Sequence, residues 1–285
     1  MKKLIYVLAV LVLAGIFCYS GWQVLDYYGA SAESEEAYDQ LLTMKEQAIP
    51  PRKPRPEPTV PAGPAIPEQT LPTEPQIPDD LVAVSHPQTG ESVYMLPEYQ
   101  DLFTLNPDLV GWISIEGTKV NYPVVQSPTS RTDYYLKRDF YGKSNSRGCI
   151  YAREVCDIWK PSDNITIYGH RMNDFSMFGD LGKFKKESFW EDHRCIRFDT
   201  LQAYHTYEIL AVFQIQAGNA DSFDYHLFVD AADAAEFDAF VARCKRLALY
   251  DTGVQAQYGD KLITLSTCDY HEDNGRLVVV AKRVG

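Results

Sequence analysis

Eleven prolines stand between Pro50 and Pro78 in a chain that holds 17 in all, and no other feature limits the fold as much. Proline has no backbone N–H and a fixed φ, so such a stretch joins neither a helix interior nor a sheet ladder. It divides the chain. Residues 81–285 remain on its C-terminal side, about 205 of the 285, which suits one globular domain and leaves no room for a second large one. The tract itself favours extended polyproline II at about 3.1 Å per residue, so it is expected to act as a linker reaching roughly 90 Å.

Ahead of the prolines, Leu4 to Leu25 carry no charge. As a helix at about 1.5 Å per residue this run would span about 33 Å, enough for a bilayer core. Lys2 and Lys3 precede it, and Asp26, Glu33, Glu35 and Glu36 follow it. The positive-inside rule then expects a single-pass membrane anchor, with the N-terminus cytoplasmic and everything after it extracellular. A cleaved signal peptide fits less well, because the run is long and lacks a small-x-small cleavage site. Lipid attachment at Cys18 is opposed by the bulky Phe17 before it. The expected organisation is residues 1–25 as cytoplasmic stub and anchor, 26–49 as a short helical segment (Glu33–Ala48, with Ala37, Leu41, Leu42 and Met44 as its apolar stripe), 50–80 as linker and 81–285 as the functional domain.

Charge narrows the choice of partner. Lys+Arg number 27 against 39 Asp+Glu, a formal charge of −12, and both sides of Leu81 are acidic. No Lys/Arg-rich run exists to bind nucleic acid, which excludes that class of partner. Outside the apolar run the cysteines are Cys149, Cys156, Cys195, Cys244 and Cys268, an odd number, so at least one is expected to stay out of any intrachain disulfide. The isolated pairs Cys268-x-x-His271 and His193-x-Cys195 lack the second pair that a structural zinc site needs, so neither metal nor cofactor is expected.

From Leu81 onward the texture is β-rich. Strands are predicted at Val110–Ile115, Lys119–Val125, Gly148–Ala152, Asn164–Tyr168, Arg194–Asp199, Thr206–Ile215, Lys261–Ser266 and Arg276–Arg283, a number that suits a barrel or sandwich. Helices are predicted at Pro97–Leu105, with proline at the favoured first position, and at Ala231–Leu249, with Asp230 as N-cap. In the second helix Phe237, Phe240, Val241, Cys244 and Leu247 recur at helical spacing and are expected to face the core, Cys244 as a small hydrophobe.

The sharpest chemical feature is Thr264-Leu265-Ser266-Thr267-Cys268 at a strand's C-terminal end, with Arg276 opening the next strand. Pairing of those strands would bring thiol and guanidinium to one sheet edge. A thiolate attacking a carbonyl creates an oxyanion, which a fork-shaped, always-charged guanidinium can stabilise. His170, ending the strand Ile167-Tyr168-Gly169-His170, supplies a proton carrier for a leaving amine. His271 lies near enough in sequence to compete for that task, and His193, His205 and His226 show no partner pattern.

These residues resemble the Cys/His/Arg active site of sortases, the membrane-anchored transpeptidases of Gram-positive bacteria. Several further motifs, in order, are similar to class B members: Asn106-Pro107-Asp108-Leu109-Val110-Gly111-Trp112, Asn121-Tyr122-Pro123-Val124-Val125-Gln126, Tyr134-Tyr135-Leu136, Asp139-Phe140-Tyr141-Gly142, Ser176-Met177-Phe178-Gly179-Asp180-Leu181, and the helix inserted before the cysteine strand. The resemblance implies a mainly β fold, an eight-stranded sortase-type barrel with peripheral helices. It also implies a cysteine transpeptidase in which Cys268 is the nucleophile, His170 the acid and base, and Arg276 the holder of substrate or oxyanion. Ser266, Thr267, Leu136, Tyr225 and Asp269 would touch the peptide. The implied partners are sorting-signal peptides of surface proteins and an amine of peptidoglycan or a pilin, joined after the threonine of a (N/S/P)PxT(G/N) signal. Class B relatives usually lack so long a proline tract.

Three competing readings accompany this one. Ser146-Arg147-Gly148-Cys149-Ile150 resembles the core of L,D-transpeptidases, which would make Cys149 the nucleophile, but Tyr151 stands where that family has arginine. A surface scaffold that kept the barrel only for binding is another. His86-Pro87-Gln88-Thr89-Gly90 has the form of a sorting signal, and is either a boundary turn or a pseudo-substrate folded over Cys268.

Overall fold

The structure, a computed structural model, describes residues 2–48, 81–218, 223–269 and 274–285. The proline tract lies outside the described residues, as do His271, Glu272, Asp273, the side chain of Asp269 and several side chains among the first 30 residues. The chain forms two compact units, residues 1–43 and 44–285.

The first unit is helical. Helix α1 runs unbroken over Lys2–Gln47, so the apolar run and the segment expected at Glu33–Ala48 are one element rather than two. The reason is local: no proline occurs before Pro50, and an isolated Gly29 costs a helix only about 1 kcal/mol. Among the described residues, no helix is long and apolar enough to cross a membrane.

The second unit carries a hairpin that the sequence reading did not anticipate, β1 (Val82–Ser85) paired antiparallel with β2 (Ser92–Met95). A single 3-10 turn at Pro97–Tyr99 leads into α2 (Gln100–Leu105), together filling the predicted Pro97–Leu105 helix. The other elements are β3 (Leu109–Ser114), β4 (Asn121–Val125), β5 (Ile150–Ala152), β6 (Asn164–Tyr168), the short α3 (Glu187–Asp192), β7 (Cys195–Thr200), β8 (Thr206–Gln216), α4 (Ala234–Leu247), β9 (Leu262–Asp269) and β10 (Gly275–Arg283). All eight predicted strands are present, and they close a barrel in the order β10-β8-β7-β3-β4-β5-β6-β9, with β9 returning to β10. The β4–β5 and β6–β9 pairs are parallel and the rest antiparallel.

Branched side chains explain why β10 is covered on both sides. Leu277-Val278-Val279-Val280-Ala281 is buried at every position, so both faces of β10 need cover. The barrel interior covers one face. On the other, Phe237, Phe240, Val241 and Cys244 of α4 pack with Val278 and Val280 and with Leu210, Ala211 and Phe213 of β8, while Leu247 packs at the edge of the same cluster. Each such burial of a Val, Leu or Phe side chain contributes about 1.5–3 kcal/mol. Helix α4 also fixes the segment before it, because Phe228 stacks on Phe240 with ring centroids 4.0 Å apart. The N-cap of α4 is Asp233, which accepts from Glu236 N at 3.0 Å, and not the predicted Asp230. Asp230 instead accepts from Asp163 N and Ser162 Oγ, tying this segment to the start of β6.

Candidate active site

Strand pairing does the first part of the assembly. In the β9–β10 register Cys268 stands directly opposite Arg276, so thiol and guanidinium share one end of the barrel. Parallel pairing of β6 with β9 sets Tyr168 beside Ser266, and Gly169 N then donates to Ser266 O at 3.2 Å. His170 is thereby delivered to the same end. Glycine is needed at 169 because a Cβ there would come within 2.5 Å of Ile150 and 2.8 Å of the Phe178 ring.

The His170 ring is held from below. Its Nε2 lies 2.7 Å from Leu136 O. A carbonyl oxygen only accepts, so Nε2 keeps its proton and Nδ1 is the nitrogen left to change protonation. The segment carrying Leu136, a 3-10 turn at Tyr134–Lys137, is pinned by Cys149 N donating to Tyr135 O at 3.0 Å. The loop after His170 is fastened by Phe178 N donating to His170 O at 2.9 Å and by buried Arg147, which binds Ser176 Oγ and the Asp174 carboxylate. Partial burial raises the Asp174 pKa, yet the hydrogen bonds and charge of Arg147 and Ser176 outweigh that and hold the carboxyl well below the usual range.

Cys268, His170 and Arg276 line one cavity of about 440 Å³, with Leu136, Ser266, Thr267 and Tyr225 also in its wall. Each expected site residue with a described side chain is therefore at one place. Tyr225 Oη and Ser266 Oγ are 2.6 Å apart. Burial pushes the Tyr225 phenol up, against the opposing pull of the Ser266 bond and the Arg276 charge, so this pair is a neutral hydroxyl couple. Thr267 Oγ1 is buried and has no hydrogen-bond partner among the described residues. Arg276 donates from Nη1 to Gly275 O at 3.0 Å and pairs with no carboxylate among the described residues.

Sequence reasoning missed other members of the wall: Arg153, Tyr151, Tyr168, His226 and Asp133 among them. Tyr151 and Tyr168 face each other across β5–β6 with centroids 5.3 Å apart, and Tyr151 Oη donates to Asp133. Alternation gave a signal for Tyr168, two residues before His170. None existed for Arg153 and His226, which lie 73 residues apart and meet only in the fold.

The competing features fall elsewhere. Cys149 is 1% exposed and packs inside the unit. No disulfide joins any of the six cysteines. His86–Gly90 forms the turn between β1 and β2, where His86 Nδ1 accepts from Gln88 N and Thr89 N and its ring packs edge-on against Phe103. No residue of that turn lines the Cys268 cavity, so it does not sit as a pseudo-substrate there. His205 is buried, and that burial, together with the Arg283 charge, lowers its pKa to about 4. His193 stacks on Phe189.

Known proteins with this geometry point one way. The Sortase domain family profile matches residues 113–284. The chain is similar to sortase B of Staphylococcus aureus, 30% identical over 66% of this chain and 75% of the relative. Sortase B of Listeria monocytogenes is 32% identical over 66% and 74%. Among solved structures, sortase B of Bacillus anthracis superposes with a TM-score of 0.66 at 26% identity, covering 90% of this chain and 99% of that one. A Staphylococcus aureus sortase B–substrate complex superposes with a TM-score of 0.61 at 30% identity, covering 67% and 86%.

Proposed function

The chain belongs to the sortase family as a class B cysteine transpeptidase, and from that premise we propose that it cleaves a (N/S/P)PxT(G/N) sorting signal after the threonine and passes the acyl group to an amine of peptidoglycan or a pilin. The observation that carries this reading is the cross-strand pair Cys268–Arg276, with His170 two residues beyond the end of β6, the strand parallel to β9, and all three in one cavity wall.

In the proposed reaction the Cys268 thiolate attacks the threonine carbonyl carbon, a C–S bond forms, and the carbonyl oxygen takes the negative charge. The Arg276 guanidinium, which has no carboxylate partner among the described residues, stabilises that oxyanion. As the oxyanion collapses the C–N bond breaks, and His170 gives its Nδ1 proton to the departing amine. A thioester remains. The acceptor amine attacks it, His170 takes back a proton, the new amide forms and the thiolate leaves. Ser266, Thr267, Leu136, Tyr225 and Asp269 are the proposed peptide contacts. The orphaned Thr267 Oγ1 and the Tyr225–Ser266 hydroxyl couple support that part, since a peptide backbone supplies partners for both.

The proposal places the enzyme outside the cell. The uncharged run Leu4–Leu25, preceded by Lys2 and Lys3, is its membrane anchor, and the proline tract is its spacer toward an acceptor in the wall. The deciding assay is a panel of quenched-fluorescent peptides varied at the first and last signal positions, with and without amines. The expected result is cleavage after Thr, with the amine incorporated into the product. Failure to cleave any such peptide overturns the reading. Turnover lost in His271→Ala but retained in His170→Ala would overturn the assignment of the proton carrier.

A further inference from the structure

The cavity that holds Cys268 contains a second guanidinium with no part in the reaction just described. Arg153 follows β5 directly, and its backbone is fixed on both sides: its N–H donates to Thr166 O at 2.8 Å, and its C=O accepts from Gln126 Nε2 at 2.8 Å. One side-chain nitrogen, Nη1, donates to the carbonyl of His226. That contact joins the end of β5 to the segment that α4 packs in place, so the guanidinium is anchored at the cavity wall rather than free to swing into solvent.

Three carboxylates, Asp133, Glu154 and Asp224, line the same cavity, yet none of them forms an ion pair with Arg153. Asp133 is engaged by Tyr151 Oη at 2.9 Å. A guanidinium offers several N–H donors in a planar fork, and here a backbone carbonyl uses one. Among the described residues Arg153 is thus an anchored cation with spare donors and no anion. His226, whose carbonyl takes that bond, is kept below the usual histidine range by burial and by the Arg153 charge, against the opposing Asp224 carboxylate. A partly buried guanidinium without an anion costs desolvation energy that a ligand carboxylate would return.

We propose that Arg153 is a carboxylate-binding residue that selects substrates carrying an anionic group, while Arg276 serves the reacting carbonyl. This rests on the transpeptidase reading. The carboxylate has two sources within that chemistry: an acidic side chain in the signal peptide, or the free carboxylate beside the amine of the acceptor.

The test has one arm for each source. In the first, kcat/KM is measured for Asn-Pro-Glu-Thr-Gly and Asn-Pro-Gln-Thr-Gly peptides. In the second, transfer from the neutral Gln peptide is measured to diaminopimelate and to its diamide. Both are run with the wild type, Arg153→Gln and Arg153→Lys, each checked for an unchanged melting temperature. The expected result is a preference of about 10-fold or more for the carboxylate form in one arm, lost in Arg153→Gln and largely kept in Arg153→Lys. The neutral peptide is the reference within each protein, so the readout is the ratio of the two forms and not the absolute rate. A wild type that cleaves the neutral peptide but shows no charge preference in either arm overturns the proposal, as does a preference that survives Arg153→Gln. No cleavage of any peptide by the wild type would instead overturn the transpeptidase reading and this proposal with it.

Discussion

Cys149 and Cys268 stand in pentapeptides that each look like a nucleophile motif, and the fold treats them in opposite ways. Cys268 is half-buried, one residue from the end of β9, with Arg276 opposite it and a cavity in front. Cys149 immediately precedes β5, is 1% exposed, and gives its backbone N–H to Tyr135 O. Its motif nevertheless serves the site. Gly148 has φ +59°, and a Cβ there would lie 2.5 Å from Leu136 O, the carbonyl that holds His170. Arg147, one residue earlier, fastens the loop after His170 through Asp174 and Ser176. One pentapeptide supplies the proposed nucleophile, and the other supplies the ground on which the histidine stands. A reactive cysteine needs space and a cation, whereas a cysteine of the same compartment without them is packing.

The contrast can be broken by experiment. Cys268→Ala is expected to reduce peptide turnover on the order of 10⁴-fold, while Cys149→Ala keeps kcat within a few-fold; equal losses would erase the distinction. Arg276→Gln is expected to reduce kcat about 10²- to 10³-fold with KM little changed, as for loss of an oxyanion donor, and a pure KM effect would make it a ground-state binder. Arg147→Met leaves the partly exposed Asp174 carboxylate without its cation and should cost about 1.5–3 kcal/mol in urea unfolding.

That last variant also carries a pH signature. The folded-state pKa of Asp174 is depressed, so its contribution is fully present above the unfolded value near 4 and is lost as pH falls through the lower folded value. The stability gap between wild type and Arg147→Met should therefore hold steady from neutrality to about pH 5 and narrow at more acid pH; a gap independent of pH would show that Asp174 is not the partner that matters. A smaller effect is expected from Gly148→Ala. A left-handed φ and a backbone clash should cost about 2 kcal/mol and lower kcat more than they raise KM, because the Leu136 carbonyl must move. Unchanged kcat would detach Gly148 from His170.

The eight barrel strands were legible because each is a short β-branched or aromatic run bounded by turn residues, and such runs have few other ways to bury themselves. The hairpin at Val82–Ser85 and Ser92–Met95 was not, since its residues are mostly exposed or half-buried and Pro87 and Gly90 read only as a turn. Asp230 and Asp233 both fit an N-cap by residue type; which one caps was settled by the contacts of Asp230 with Ser162 and Asp163. Leu136 was anticipated as a peptide contact, and the structure adds that its backbone, whose role no side-chain pattern reports, holds the histidine.

The sequence by itself determined the β-rich domain from Leu81 onward and the pairing of a strand-end cysteine with an arginine eight residues on, because both follow from local backbone chemistry and hairpin register. Only the tertiary structure decided that Cys149 is scaffold, that Leu136 O fixes the His170 tautomer, and that Arg153 meets His226 inside the Cys268 cavity. These depend on contacts between segments far apart in the chain, and barrel closure, not residue order, sets those distances.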